Sequence, residues 1–395
     1  MGRGIGNISP ANVEYVQQGR DLRLDFLRGL VMLVVICVHL EYPSYLSMFM
    51  WERLGMVSSA EGFVLFSGVV LGIVYKKRLH KHGLLDSALK LWRRAGQLYI
   101  VNVAVICSVL LLSHLPGLNV LPLTTWGSPA GGPIIQLFPT FDTPWGEILK
   151  QTLLLEIGPH QFRVMGLYAL LIACAPIVLY LLHKHYLWQL LTVSWLVYAL
   201  NIWLKLRISH AGFEYAFPVL SWQLLFFNGM IIGYYHEQVF HWLADQRNAP
   251  YIYLTTLGTG IFMLFALANP RPLFWPWSAW QWIDQATYRQ IYMTWFYKKN
   301  LCIGRVVNNA LVYASLFAGI SWYWKFCYRW LGWLFIPIGQ ASLYVFIWHI
   351  YVVLLWSNLP LTYTNLWLNT LVHVASIGLI WLMVQNKFMF GVVPR

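Results

Sequence analysis

Apolar runs of the length that crosses a bilayer, about 20 residues each, recur along the chain. They lie near 24–42, 56–75, 96–115, 164–182, 186–204, 217–235, 251–268, 310–328, 334–356 and 367–386. Between them stand clusters of Pro, Gly and charge such as KKRLHKHG (76–83), LHKHY (182–186) and NPRP (269–272), which are signals for helix ends. The pattern predicts an all-α integral membrane protein, a bundle of about ten transmembrane helices. Two long outer connections are expected near 116–163 and 269–309. With no internal repeat and no soluble domain, residues 1–21 are expected to form an N-terminal segment and 22–390 a single transmembrane domain.

Composition agrees with that pattern. At 59% hydrophobic, 17% aromatic and 10% charged, the chain has too little polar surface to cover a soluble globule. The first apolar run is not followed by a small-residue cleavage site, so no cleaved signal peptide is expected. The five cysteines (Cys37, Cys107, Cys174, Cys302, Cys327) contain no C-x-x-C and mostly lie in apolar runs. They read as small hydrophobes, with neither a disulfide framework nor a metal site implied. An even number of spans puts both termini on one side, and that side carries 17 of the 27 Lys and Arg residues, seven of them between Lys76 and Arg94. The bias predicts cytoplasmic termini. The net charge of +13 then reflects this asymmetry and attraction to anionic lipid, with no nucleic-acid partner implied.

Charge inside the apolar runs is where chemistry enters. The stretch RGLVMLVVICVHLEYP (28–43) carries His39 near the far end of the first run, and an ionisable residue at such depth is costly. At 1.5 Å per residue, His39 and His349 fall roughly 25 Å above the cytoplasmic face and Glu61 roughly 22 Å. Each has a plainer explanation alone: a histidine hydrogen-bonded across helices, or a glutamate paired with a nearby base. Together they predict a polar cavity, because a carboxylate cannot stay ionised in an apolar bundle without a partner or water. A carboxylate orienting a histidine is the usual form of a general base. His39, Glu61 and His349 are therefore the candidate catalytic residues, with Glu61 expected against His39.

Arg28 lies eleven residues, three helical turns, before His39 and so on the same helix face, with Asp25 spaced to pair with it. LKLWRRAG (89–96) brings Lys90, Arg93 and Arg94 to the foot of the third run. These serve either as positive-inside anchors or as a basic mouth suited to phosphates. PLFWPWSAWQWIDQ (272–285) packs Trp275, Trp277, Trp280 and Trp282 beside Asp284, either an interfacial aromatic belt or a sugar-stacking platform. Gly68 and Gly72, four apart, predict close helix packing.

The Arg28-x10-His39 spacing, preceded by RDLRLDFLRG (20–29), resembles the transmembrane acyltransferase-3 superfamily. More narrowly, AEGFVLFSGVVLGIVY (60–75), SWQLLFFNGMIIG (221–233) and GQASLYVFIWHIYVV (339–353) resemble the OpgC branch, named for the succinyltransferase of osmoregulated periplasmic glucans. The resemblance runs from about 20 to 386. It implies a ten-helix enzyme of the bacterial cytoplasmic membrane that moves an acyl group, acetyl or succinyl, from cytoplasmic acyl-coenzyme A to a hydroxyl of an extracytoplasmic glycan. By that resemblance His39 is catalytic and Arg28 binds the donor. The Arg-x-x-Arg signature of many relatives stands here only as Lys90-x-x-Arg93, followed by Arg94.

Coenzyme A phosphates held by Arg28, Lys90, Arg93 and Arg94 would send the thioester arm up to His39, with Ser342, Tyr344 or His349 as candidate oxyanion donors. For a succinyl carboxylate the available cations are residues such as Arg163 or Arg305. A transporter or flippase for a lipid-linked sugar, relaying protons through the buried His and Glu, is the alternative from another class. The basic mouth on the face of His39 favours the enzyme. Membrane lipid and a glycan are the expected partners, and homo-oligomerisation is left open.

Overall fold

The computed structural model describes residues 15–17, 20–50, 52, 55–127, 134–140, 142–268, 282–361 and 364–393. The described chain is helical apart from two short antiparallel ladders, Val16–Gln17 with Arg20–Asp21 and Thr125–Trp126 with Ile135–Gln136. The principal helices are α1 (Leu22–Leu40), α2 (Ser59–Ser113), α3 (Val164–His183), α4 (Leu187–Leu204) and α5 (Val219–Tyr234). They continue with α6 (Ala249–Leu267), α7 (Ile303–Trp322), α8 (Trp333–Gln340), α9 (Ser342–Ser357) and α10 (Leu366–Gln385). Among the described residues six helices are long and apolar enough to cross a membrane, those containing α2, α3, α4, α6, α7 and α10, and the bent pair ending in α8 and α9 makes a seventh. α1 is 19 residues long but carries Arg23, Asp25 and Arg28.

Three departures from the apolar pattern have identifiable causes. The second and third runs belong to one 55-residue helix, α2, broken only at Gly83, whose φ is 80°. The basic stretch from Lys76 to His82 is thus helix rather than loop, since Lys, Arg and Leu are good helix formers and glycine alone adopts that φ without strain. Arg78 and Asp86 pair across the break at 2.6 Å. Next, α7 begins at Ile303, seven residues before the apolar run at 310, because Arg305, Asn308 and Asn309 are buried rather than facing solvent. Last, the run 334–356 is not one straight span: the helix ending in α8 meets α9 at 89° about Ala341.

Small residues set the closest packing. A Cβ on Gly68 would collide with the Phe226 carbonyl oxygen of α5, and one on Gly233 would collide with that of Val69. The expected close approach at Gly68 and Gly72 is therefore met by Gly229 and Gly233, a second pair four residues apart. α8 crosses α1 in the same way, with Gly339 on the Asp25 carbonyl and Gly29 on that of Phe335. This crossing places α9 alongside α1.

Candidate functional site

α1 starts on Asp21, whose side chain accepts from the Arg23 amide at 2.9 Å, and runs unbroken to Leu40. Arg28 and His39 accordingly share a face, and both turn to α9. Arg28 donates to the Ser342 hydroxyl. Eleven residues further on, His39 Nδ1 lies 2.8 Å from His349 Nε2, the rings stacked at 4.9 Å.

The proton positions in this pair follow from one backbone group. His349 Nδ1 is 2.6 Å from the Phe346 carbonyl oxygen, which can only accept, so Nδ1 carries the hydrogen. Neutral His349 then has a lone pair at Nε2, and the bond to His39 must be donated by His39 Nδ1. That leaves the lone pair of His39 on Nε2. Among the described residues no hydrogen bond reaches Nε2. His349 is 1% exposed while His39 is half-buried. A carbonyl, through one histidine, thus orients a second histidine as a base, the orienting role a carboxylate holds in the familiar triad.

Glu61, expected in that orienting role, sits elsewhere. α2 begins at Ser59, so Glu61 falls in its first turn and closes a capping box with Ser58, accepting from its amide at 2.6 Å and from its hydroxyl. Its other oxygen accepts from Arg305 Nε at 2.6 Å, both side chains being fully buried. Arg305 also pairs with Glu52 at 2.9 Å and donates to the Phe296 carbonyl at 3.1 Å. Glu61 is thus the ion-pair partner rather than the histidine's carboxylate, because its side chain turns to α7.

Other expected roles are redistributed. Tyr344 donates to the Phe388 carbonyl at 2.7 Å and Ser342 accepts from Arg28, so neither hydroxyl meets His39. His349 accepts from His39 and has no hydrogen left to offer an oxyanion. Arg305 is held by its two glutamates, and Arg163 is half-buried with Nε unpartnered among the described residues. At the Arg28 end, Asp25 lies 3.6 Å from Arg28 and 3.0 Å from Arg20. Arg94 is half-buried, whereas Lys90 and Arg93 are exposed. Trp275, Trp277 and Trp280 lie outside the described residues. Trp282 is exposed, and the Asp284 carboxylate accepts from the Thr287 amide at 2.9 Å, capping the helix Gln285–Ile291.

Two residues at the His39 end escape any periodicity. His160, in the connection before α3, is 6.5 Å from His39 between ring centroids and bonds Glu41 at 2.9 Å. The only sequence signal was Glu41, two positions beyond His39.

Comparison with curated proteins and with solved structures returns no match. A family model described as OpgC protein matches residues 20–390, from the start of α1 past the end of α10. With the histidine pair inside the match, the chain belongs to the OpgC protein family.

Proposed function

We propose that this chain is a multi-pass membrane O-acyltransferase of the acyltransferase-3 type, with ten spans and both termini in the cytoplasm. It takes an acyl group, succinyl or acetyl, from cytoplasmic acyl-coenzyme A and places it on a hydroxyl of an extracytoplasmic glycan. The observation that carries this is the histidine pair: a base nitrogen, His39 Nε2, set by His349, three turns along one helix face from Arg28. The family supports it, since its name points to acyltransferase-like work on glucans.

The chemistry balances with these groups. His39 Nε2 removes the hydroxyl proton as the glycan oxygen attacks the thioester carbonyl. The carbon–sulfur bond breaks, the imidazolium returns the proton to the coenzyme A thiolate, and an ester and free coenzyme A result. His349 supports the imidazolium by accepting the Nδ1 hydrogen.

Donor phosphates belong at the other end, at Arg28. Arg28→Ala is expected to weaken coenzyme A binding about tenfold or more by calorimetry in nanodiscs, and unaltered affinity would place the donor elsewhere. In the transporter reading Glu61 relays protons, a role that its buried pairing with Arg305 opposes. The deciding experiment is mass spectrometry of cell-envelope glycans with and without the gene. A mass difference of one acyl group is expected and names that group, while identical spectra would count against acyl transfer.

A further inference from the structure

His160 and Glu41 form a second histidine–carboxylate pair beside the first, and both residues are placed with care. The turn His160–Phe162 follows Gly158 and Pro159. It is anchored on both sides: Phe162 stacks on Phe346 of α9 at 5.4 Å and 25°, and Gln161 donates to the Pro122 carbonyl at 2.9 Å. Phe346 is the residue whose carbonyl sets the His349 tautomer, so the same side of α9 positions both histidine sites. Glu41 ends α1 in the left-handed region, with φ 59° and ψ 12°. That conformation is unfavourable for a residue with a side chain, and here it accompanies a carboxylate 2.9 Å from His160 Nε2.

The proton on His160 follows from its partner. An ionised carboxylate only accepts, so Nε2 of His160 carries a hydrogen, and in the neutral imidazole Nδ1 is then a lone pair. That Nδ1 is buried and has no hydrogen-bond partner among the described residues. A buried acceptor left bare is costly, and the group that satisfies it must be a donor. The rings of His160 and His39 stand 6.5 Å apart and nearly perpendicular, at 86°. Two imidazoles, each with one nitrogen tied down and the other a lone pair, thus stand side by side at the end of α1. Glu41 is 36% exposed and His160 16%, so the pair lies nearer solvent than His349.

We propose that His160, held by Glu41, is an acceptor-binding residue that receives a hydrogen bond from the hydroxyl next to the one being acylated. The site would then recognise a carbohydrate through two neighbouring hydroxyls: one deprotonated by His39 Nε2, the other donating to His160 Nδ1. No bond is made or broken at His160. The proposal rests on the acyltransferase reading above and adds to it a subsite and a substrate feature, the vicinal diol.

The test uses the full-length protein in nanodiscs with a gluco-oligosaccharide and its single-deoxy analogues. His160→Phe keeps a ring against its neighbours and removes the acceptor nitrogen. It is expected to raise KM for the saccharide about tenfold while leaving KM for acyl-coenzyme A unchanged. One deoxy analogue should cost the unsubstituted protein the same factor and cost His160→Phe nothing further. An unchanged saccharide KM in His160→Phe, or full losses for every analogue on top of the substitution, would overturn the subsite. Saccharide binding is also measured by calorimetry without any acyl donor. A protein that binds saccharide in a His160-dependent way but transfers no acyl group would refute the acyltransferase reading and leave the subsite standing. Glu41→Gln, which keeps the shape, is expected to weaken saccharide binding less than His160→Phe; stronger binding in that variant would contradict the orienting role of Glu41.

Discussion

His39→Ala is expected to abolish the proposed acyl transfer, a loss of about 10²–10⁴-fold for a general base alone, in a protein that still inserts and elutes as a single species. The side chain is half-buried and its one hydrogen-bond partner among the described residues is His349, so truncation strands no other polar group. A variant that keeps near-normal turnover would take His39 out of the chemistry. His349→Ala is expected to show a smaller loss, because the base nitrogen remains but the hydrogen on His39 is no longer confined to Nδ1. Were both substitutions to cost the same and together no more than either alone, the two histidines would be acting as one unit.

Arg305→Met destabilises the protein by about 3–5 kcal/mol, since it strands two carboxylates whose cation is gone. Glu61 is fully buried and Glu52 nearly so, and both depend on Arg305. Thermal unfolding in one detergent is the measurement, with a fall of Tm expected in Arg305→Met and partial recovery when Glu61→Gln and Glu52→Gln are added. A variant as stable as the parent would mean that the network carries no net stabilisation. Glu61→Gln alone separates the two roles considered for this residue. As a structural ion pair it lowers stability while turnover per folded molecule holds; a selective loss of turnover at full stability would restore it to the site of His39.

Which features were legible in the sequence follows from the range of the interactions that produce them. Arg28 and His39 share a face because eleven residues complete three turns of any α-helix, whatever packs against it. Gly68 and Gly72 announced a close approach for the same local reason, and α5 supplies the matching pair Gly229 and Gly233. The apolar runs located helices, but not where polar residues face inward: α7 extends back over Arg305, Asn308 and Asn309 because those side chains are buried, and hydropathy counts them as loop.

Depth along a helix axis was likewise computable for α1, but the azimuth of Glu61 was not, and equal height did not make it a neighbour of His39. Its partner Arg305 is 244 positions away in the chain, and the partner of His39 is 310 away. His349 reaches His39 through an 89° bend at Ala341 that no straight climb from Gly332 contains. His160 carried no periodic signal, lying in a connection whose path depends on Phe162 packing against α9.

The sequence by itself determined a helical chain apolar enough for a membrane, one helix face with Arg28 at one end and His39 at the other, and the glycine contacts. These follow from period, composition and residue size, which act within a few turns. Only the tertiary structure decided that His349 rather than Glu61 meets His39, that Arg305 neutralises Glu61, and that His160, bonded to Glu41, comes to lie beside His39. Each of those choices depends on which helix faces which across the bundle, and a buried charge or lone pair takes the partner that packing brings within about 3 Å, a distance that no spacing along the chain encodes.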